Sequence, residues 1–424
     1  MVFSGFVMKD LIKNIILDFH KRGIPEFITR DFDIPVDSGK IVTLIGSRRT
    51  GKTYALFQVM SKIDDITKIV YINFEDERLN FTHKNLQEII EAYLELYPTR
   101  KKNEIYFFFD EIQEINGWEK FLRRINDTIT TNIFVTGSSA KLLSKEIATS
   151  LRGRTITFKI FPLSFGEFLT FKNIDKEFIS THGKATVIAA LNEYMSTSSF
   201  PETVNMQPHI RENTLRMYFD VMLFRDVIER NDIKNIFPIK YLLHKLMGNP
   251  GKQFSVHKIY NELKSQGIKI SKNSLYDYLN FISDAFIIFP VQNFSEKINN
   301  KNQKKSYSID HGLASSVSAT LSRDYGRMLE NIVFIHLVRK YDKIFFFKEK
   351  RECDFIIKEK NKITQCLQVC SELNEDNKER EINGLKEAMN YFSLKKGKIV
   401  TLNQTDKIDN IEVQPVYRWL LENF

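Results

Sequence analysis

The stretch Gly46-Ser47-Arg48-Arg49-Thr50-Gly51-Lys52-Thr53 follows an apolar run, Ile41-Val42-Thr43-Leu44-Ile45, and opens a helical segment from Tyr54 to Ser61. The order is strand, glycine loop, helix, and the spacing G-x-x-x-x-G-K-T is that of a complete phosphate-binding loop. Gly46 and Gly51 let the backbone bend so that successive N–H groups can face phosphate oxygens. The helix N-terminus places a partial positive charge behind them. Lys52 can reach β- and γ-phosphates, and the Thr53 hydroxyl can ligate Mg²⁺. Ser47, Arg48, Arg49, Thr50 and Tyr54 complete the candidate ATP contacts.

Downstream, Ile105-Tyr106-Phe107-Phe108-Phe109 reads as a strand buried on both faces of a parallel sheet. Asp110 and Glu111 stand at its C-terminal end, where ligands gather in open α/β sheets. Asp110 is placed to hold the Mg²⁺ shell, and Glu111 to polarise the attacking water. A third buried strand, Asn132 to Thr136, ends at Gly137-Ser138-Ser139. Ser138 is the candidate γ-phosphate sensor, with Thr136 and Ser139 as alternates. A helix N-cap serine is the competing reading. Arg152 and Arg154 flank Gly153 on the next loop. Either could act as an arginine finger toward a neighbouring subunit, although arginines flanking a strand are also ordinary surface charges.

A chain of 424 residues is expected to hold two to four domains. No apolar run approaches the roughly 18 residues that span a membrane, and Met8–His20 reads as an amphipathic helix and not a signal peptide. Cys353, Cys366 and Cys370 form no C-x-x-C pair, so neither a zinc site nor a disulfide framework is expected. A cytoplasmic location is the default expectation. The net charge of +9 suits a polyanionic partner without requiring one.

The phosphate loop with its strand, Ile72-Asn73-Phe74-Glu75-Asp76, Asp110-Glu111-Ile112-Gln113, Thr136-Gly137-Ser138-Ser139 and Phe161-Pro162-Leu163-Ser164-Phe165 together resemble one family. It is that of archaeal and bacterial AAA+-type ATPases with an appended C-terminal domain of the domain-of-unknown-function 4143 kind. The resemblance implies ATP binding and hydrolysis in a homo-oligomer, such as a hexameric ring. Arg225-Asp226 also resembles the family; a structural pair is favoured there over a phosphate sensor.

The expected architecture is a P-loop AAA+-type α/β core with a parallel sheet (residues 1–165), then a helical lid (166–235). A winged helix (236–312) and an α+β domain (313–424) follow. In the winged helix, helices Ile239–Met247, Val256–Ser265 and Lys272–Ser283 precede strands Phe286–Phe294 and Ser306–Asp310. The third helix presents Lys272, Asn273, Ser274 and Tyr276 near its start, with Lys269 just before it. The wing supplies Lys297, Lys301, Lys304 and Lys305 for backbone-directed contacts to DNA. Asp277 opposes a groove contact, and lysine-rich loops are often merely solvated. In the last domain, helix, three strands, helix and strand resemble the restriction-endonuclease-like PD-(D/E)XK fold. Glu330 and Asp354 match that pattern by position. Gln368 stands in place of an acid and Cys370 in place of the lysine, with Glu372 or Lys386 as conceivable substitutes. That resemblance implies a degenerate nuclease site retained for binding or assembly.

The leading functional expectation is therefore an ATPase doing conformational work on DNA. The alternatives are a nucleotide-controlled signalling or defence switch with a protein partner, and an ATP-dependent nuclease.

Overall fold

The structure is a computed structural model that describes residues 2–79, 81–83, 85–138, 151, 153–295, 303–318 and 324–422, residues 2–7 by their backbone alone. It divides into two compact units, Met1–Ile160 and Phe161–Phe424.

The first unit is built on five parallel strands: β1 (Ile41–Ile45), β2 (Ile69–Asn73), β3 (Tyr106–Asp110), β4 (Ile133–Gly137) and β5 (Thr155–Lys159). Their spatial order is β2-β3-β4-β1-β5. The phosphate-loop strand and the Asp110 strand are thus separated by β4, and Leu44 pairs with Thr136 across that gap. Strands buried on both faces must be apolar throughout, which accounts for the phenylalanines of β3. Phe108 stacks on Phe134 with centroids 4.6 Å apart, both buried. Helix Trp118–Thr128 turns Trp118, Phe121, Leu122 and Ile125 inward at helical spacing. The N-terminal helix is longer than its sequence pattern suggests, Val2–Arg22. It pairs with helix Leu86–Leu96 through Lys9–Glu91 at 3.0 Å and Lys13–Glu95 at 2.6 Å.

The second unit contains two sheets. The smaller is antiparallel, with β6 (Gln253–Phe254), β7 (Ile288–Gln292) and β8 (Lys304–Ser308) in the order β6-β8-β7. Helices Ile236–Met247, Val256–Ser265 and Lys272–Asp284 pack with it around Leu242, Leu246, Ile259, Leu275, Leu279 and Ile288. The larger sheet has β9 (Ile344–Lys348), β10 (Glu352–Glu359), β11 (Lys362–Val369), β12 (Gly397–Thr401), β13 (Asp406–Ile408) and β14 (Ile411–Pro415). Its order is β13-β14-β12-β11-β10-β9, with β11, β12 and β14 parallel and the remaining pairs antiparallel. Helices Tyr325–Lys340, Lys378–Tyr391 and Val416–Glu422 complete it.

Two expectations change here. Helices Phe165–Phe171 and Thr181–Ser196, expected as a lid on the first unit, share a core with the larger sheet. Phe168, Leu191, Met328, Phe355 and Trp419 belong to one apolar cluster. Strand β8 begins two residues before the expected Ser306, so Lys304 and Lys305 are ladder residues and not wing residues: Lys305 pairs with Val291 and Gln253. Alternation along the strand then fixes which way each lysine faces.

Removing a fully buried aromatic leaves a cavity in a tightly packed interior. Phe108→Ala is expected to destabilise the chain by about 3–5 kcal/mol, read as a lowered urea midpoint at an unchanged slope.

Candidate functional site

The loop between β1 and helix Lys52–Met60 has the backbone that the spacing requires. Gly51 sits at φ 92° as the helix N-cap, a left-handed conformation that disfavours any side chain. A Cβ on Gly46 would collide with the Ile160 carbonyl oxygen, so only glycine fits under that crossing. Arg49 also takes a left-handed φ of 65°. Arg48 bridges from the loop to Glu75 at 2.9 Å, tying it to the acidic patch after β2. Ser47 and Thr50 are buried, and the Thr50 hydroxyl donates to the Ser47 carbonyl at 2.9 Å. Tyr54 lies exposed on the first turn of the helix.

Beneath the loop the charged residues interlock. Lys52 is buried, its Nζ 3.2 Å from the Ser47 carbonyl and 3.2 Å from Glu111 Oε1. The Thr53 hydroxyl donates to Asp110 Oδ2 at 2.7 Å, and Tyr71 donates to the same oxygen at 3.2 Å. Thr136 donates to Asp110 Oδ1 and accepts the Glu111 backbone N–H at 2.8 Å. Gln113 donates to Glu111 Oε2 at 2.5 Å. Glu111 itself stands at φ 53°, unusual for a residue with a side chain. The turn after β3 thus aims two adjacent acids differently, Asp110 at Thr53 and Glu111 at Lys52.

Burial separates these acids electrostatically. Asp110 is pushed above the ordinary carboxylate range by burial and by the neighbouring Glu111, against the Thr136 and Thr53 hydrogen bonds. Burial acts on Glu111 as well, but Lys52, Gln113 and Arg48 outweigh it and hold the carboxyl below its usual range. Burial and then Asp110 push the Tyr71 phenol upward, keeping it a neutral donor.

Lys52, Thr53, Asp110 and Glu111 therefore join one cluster, and Thr136 is the β4 hydroxyl that touches both acids. Ser138 is buried at the end of the same strand. Ser139 and Arg152 lie outside the described residues. Arg154 is engaged by Asp127 at 2.8 Å, about a third exposed. Arg225 is exposed and Asp226 buried in the π-helical segment Met222–Ile228. One supporting residue carries no sequence signal: Arg30, buried, donates from Nη1 to the Thr50 carbonyl at 2.8 Å, while Gln58 clamps its backbone at 2.9 and 3.0 Å.

The second unit brings other candidates together. Glu330, Asp354 and Gln368 converge on the face of β10 and β11. Asp354 N–H donates to Gln368 Oε1 at 3.2 Å, and Val369 N–H to Asp354 Oδ2 at 3.0 Å. Cys370 is buried nearby, its thiol pushed up to about 12 by burial and by Glu381, so it stays neutral. Glu372 is exposed, and the Lys386 ammonium is engaged by Asp409 at 2.7 Å. The ammonium in this cluster belongs to Lys305, which is 1% exposed and so withdrawn from any DNA-contact set. It lies 2.9 Å from Asp354 and 3.1 Å from Glu330. Of the remaining DNA candidates, Lys269, Lys272, Asn273 and Tyr276 are exposed, while Ser274 and Lys304 are half-buried. Ser274 is occupied with the Ser271 cap, and Lys297 and Lys301 lie outside the described residues.

A sheet of this order with a phosphate loop on β1 and an acid pair on β3 defines a P-loop ATPase fold, and residues 38–169 match the AAA domain family. Residues 188–324 match a domain of unknown function, number 8612, which replaces the 4143 designation that the resemblance carried. The chain is 42% identical over 443 residues to the uncharacterized protein MJ1544 of Methanocaldococcus jannaschii, covering 99% of this chain and 97% of that protein. It is 32% identical over 396 residues to an uncharacterized protein of Haemophilus influenzae, covering 91% and 95%. The chain belongs to the family of these proteins, an AAA+-type P-loop ATPase family. Among solved structures it is similar to the Walker-type ATPase PABY2304 of Pyrococcus abyssi (16% identity, 65% of this chain and 90% of that chain, TM-score 0.42). It is also similar to Cdc6p from Pyrobaculum aerophilum (16% identity, 68% and 89%, TM-score 0.25). Among the described residues, no helix is long and apolar enough to cross a membrane.

Asp110 supplies a direct check on the electrostatics. Its carboxyl is raised on folding, so its ionised form opposes folding at neutral pH, and that opposition fades as pH falls through the folded value. Asp110→Asn is expected to raise Tm at pH 7, with a smaller gain in acid. A lower Tm at pH 7 would contradict this account of the acid pair.

Proposed function

We propose that the chain binds and hydrolyses ATP at the phosphate loop and uses the turnover for conformational work on DNA. The observation that carries the hydrolytic part is the pairing of Thr53 with Asp110 at 2.7 Å beside Lys52 with Glu111 at 3.2 Å. Thr53 Oγ1 and Asp110 Oδ2 are adjacent oxygens of the kind Mg²⁺ takes, and they fit that ion. When bound, Mg²⁺ would neutralise phosphate charge. Incoming phosphate competes with Glu111 for the Lys52 ammonium. Lys52 then turns to phosphate, and Glu111 is left as an ionised carboxylate able to accept a proton from water. Thr136 keeps both acids in register through this exchange, and Gln113 limits how far Glu111 swings.

Work on DNA rests on two features. The chain is basic overall, at +9. Helix Lys272–Asp284 buries Leu275, Leu279 and Ile282 and leaves Lys272, Asn273 and Tyr276 exposed on its outer face. We read Ile236–Ser308 as a winged helix with that helix outward. Its contacts would be mostly to the phosphate backbone and so salt-dependent. The larger sheet we read as a nuclease-like fold that no longer cleaves. An arginine finger from a neighbouring copy would complete the ATP site. If it is Arg154, an exposed pair with Asp127, worth about 1 kcal/mol or less, must open first.

Lys52→Ala is expected to lose nucleotide binding in an equilibrium titration, and Glu111→Gln to bind ATP yet hydrolyse it about 10²–10⁴-fold more slowly. Wild-type turnover in either variant would remove that residue from its role. Duplex DNA is expected to stimulate turnover, with the effect lost between about 50 and 200 mM salt. Turnover indifferent to DNA at low salt would favour a nucleotide-controlled switch acting on a protein partner.

A further inference from the structure

Lys305 occupies an unusual place. It lies on β8, outside the larger sheet, yet its Nζ sits at the meeting point of three carboxylates from β10 and helix Tyr325–Lys340. The distances are 2.8 Å to Glu352 Oε1, 2.9 Å to Asp354 Oδ1 and 3.1 Å to Glu330 Oε1. A second donor fixes each carboxylate. Tyr307 donates to Glu330 Oε1 at 2.7 Å, Val369 N–H to Asp354 Oδ2 at 3.0 Å, and Gln253 to Glu352 Oε2 at 2.7 Å. Beside them Gln368 accepts from Asp354 N–H and donates to Glu381 at 2.5 Å.

We propose that Lys305 is a built-in cation that closes a latent divalent-metal site formed by Glu330, Asp354 and Glu352. Leaving carboxylates buried without a partner is strongly unfavourable, so this node must hold a cation. The separations of 2.8–3.1 Å are those of N–H···O contacts. A Mg²⁺ or Mn²⁺ ion in the same oxygen set would draw its ligands to about 2.1 Å. The node is therefore shaped to the ammonium. The same reasoning decides between two roles for this lysine. A lysine assisting a metal stands beside the ion and leaves the carboxylates to it. Lys305 engages all three carboxylates itself. Lys348 reaches Glu352 Oε2 from the outside at 3.3 Å, so three carboxylates share one buried ammonium and one half-exposed one, which still leaves excess negative charge. A divalent ion would compensate that charge better than the lysine does, so removing the ammonium opens the site to one.

The test is Mn²⁺ binding to the nucleotide-free full chain by calorimetric titration, with Tm measured alongside. Lys305→Met is expected to bind one Mn²⁺ more than wild type at least tenfold more tightly than any uptake in this region of the parent, and to gain Tm with Mn²⁺. Adding Asp354→Asn to that variant is expected to abolish both effects. Lys305→Gln repeats the test with a side chain that keeps hydrogen bonds and loses the charge. A folded Lys305→Met or Lys305→Gln chain with wild-type Mn²⁺ uptake overturns the proposal. So does Mn²⁺ uptake by the wild-type chain that Asp354→Asn removes, a result that needs no Lys305 variant to fold.

Discussion

The first unit depends on keeping two adjacent carboxylates in the dry end of a parallel sheet. Asp110 and Glu111 are both buried, and neither could stay there as an unpaired charge. The solution spreads over three strands and one loop. Lys52 neutralises Glu111, Thr53 and Tyr71 donate to Asp110, and Thr136 joins the two acids from the strand between. The order β3-β4-β1 is what makes this possible, because it places a hydroxyl-bearing strand end between loop and acids. The left-handed turn at Glu111 then directs the second acid toward the loop.

The chain uses a buried lysine against carboxylates twice, with opposite consequences. Lys52 holds one carboxylate and one carbonyl, the set that phosphate displaces in the proposed reading. Lys305 holds three carboxylates, each fixed by another donor, a set that resists exchange. Differential binding is what allows a ligand to change an arrangement. By that criterion the phosphate loop is responsive, and the node on the larger sheet is fixed. Chemistry on phosphate is thus expected in the first unit.

The parts of this architecture that rest on local pattern were legible in the sequence. The phosphate loop, the apolar β3 with its terminal acids, and the α-β-β-β-α-β order after residue 325 follow from spacing and periodicity, and the strands lie within a few residues of their expected positions. What was not legible depends on single-residue register or on tertiary contact. Lys305 reads as one more lysine in a basic loop, Lys301 to Lys305. Only the start of β8 at Lys304 turns it inward, and a shift of one residue reverses the face. Arg30 belongs to no motif and becomes a support for the loop only through contacts to Thr50 and Gln58. Strand β6 has two residues, too few for any periodicity. The partners of helices Phe165–Phe171 and Thr181–Ser196 are remote in sequence, so their amphipathic pattern could not say which sheet they cover.

The central claim is that the interlocked loop and acid pair form a Mg²⁺-dependent ATP-hydrolysing site. Phosphate release from ATP by the purified full chain, measured under multiple turnover with Mg²⁺ and again with a chelator, tests it most directly. The account predicts sustained release with Mg²⁺ and none with the chelator. Release that is unaffected by the chelator, or none in Mg²⁺ while ATP is bound, would contradict it.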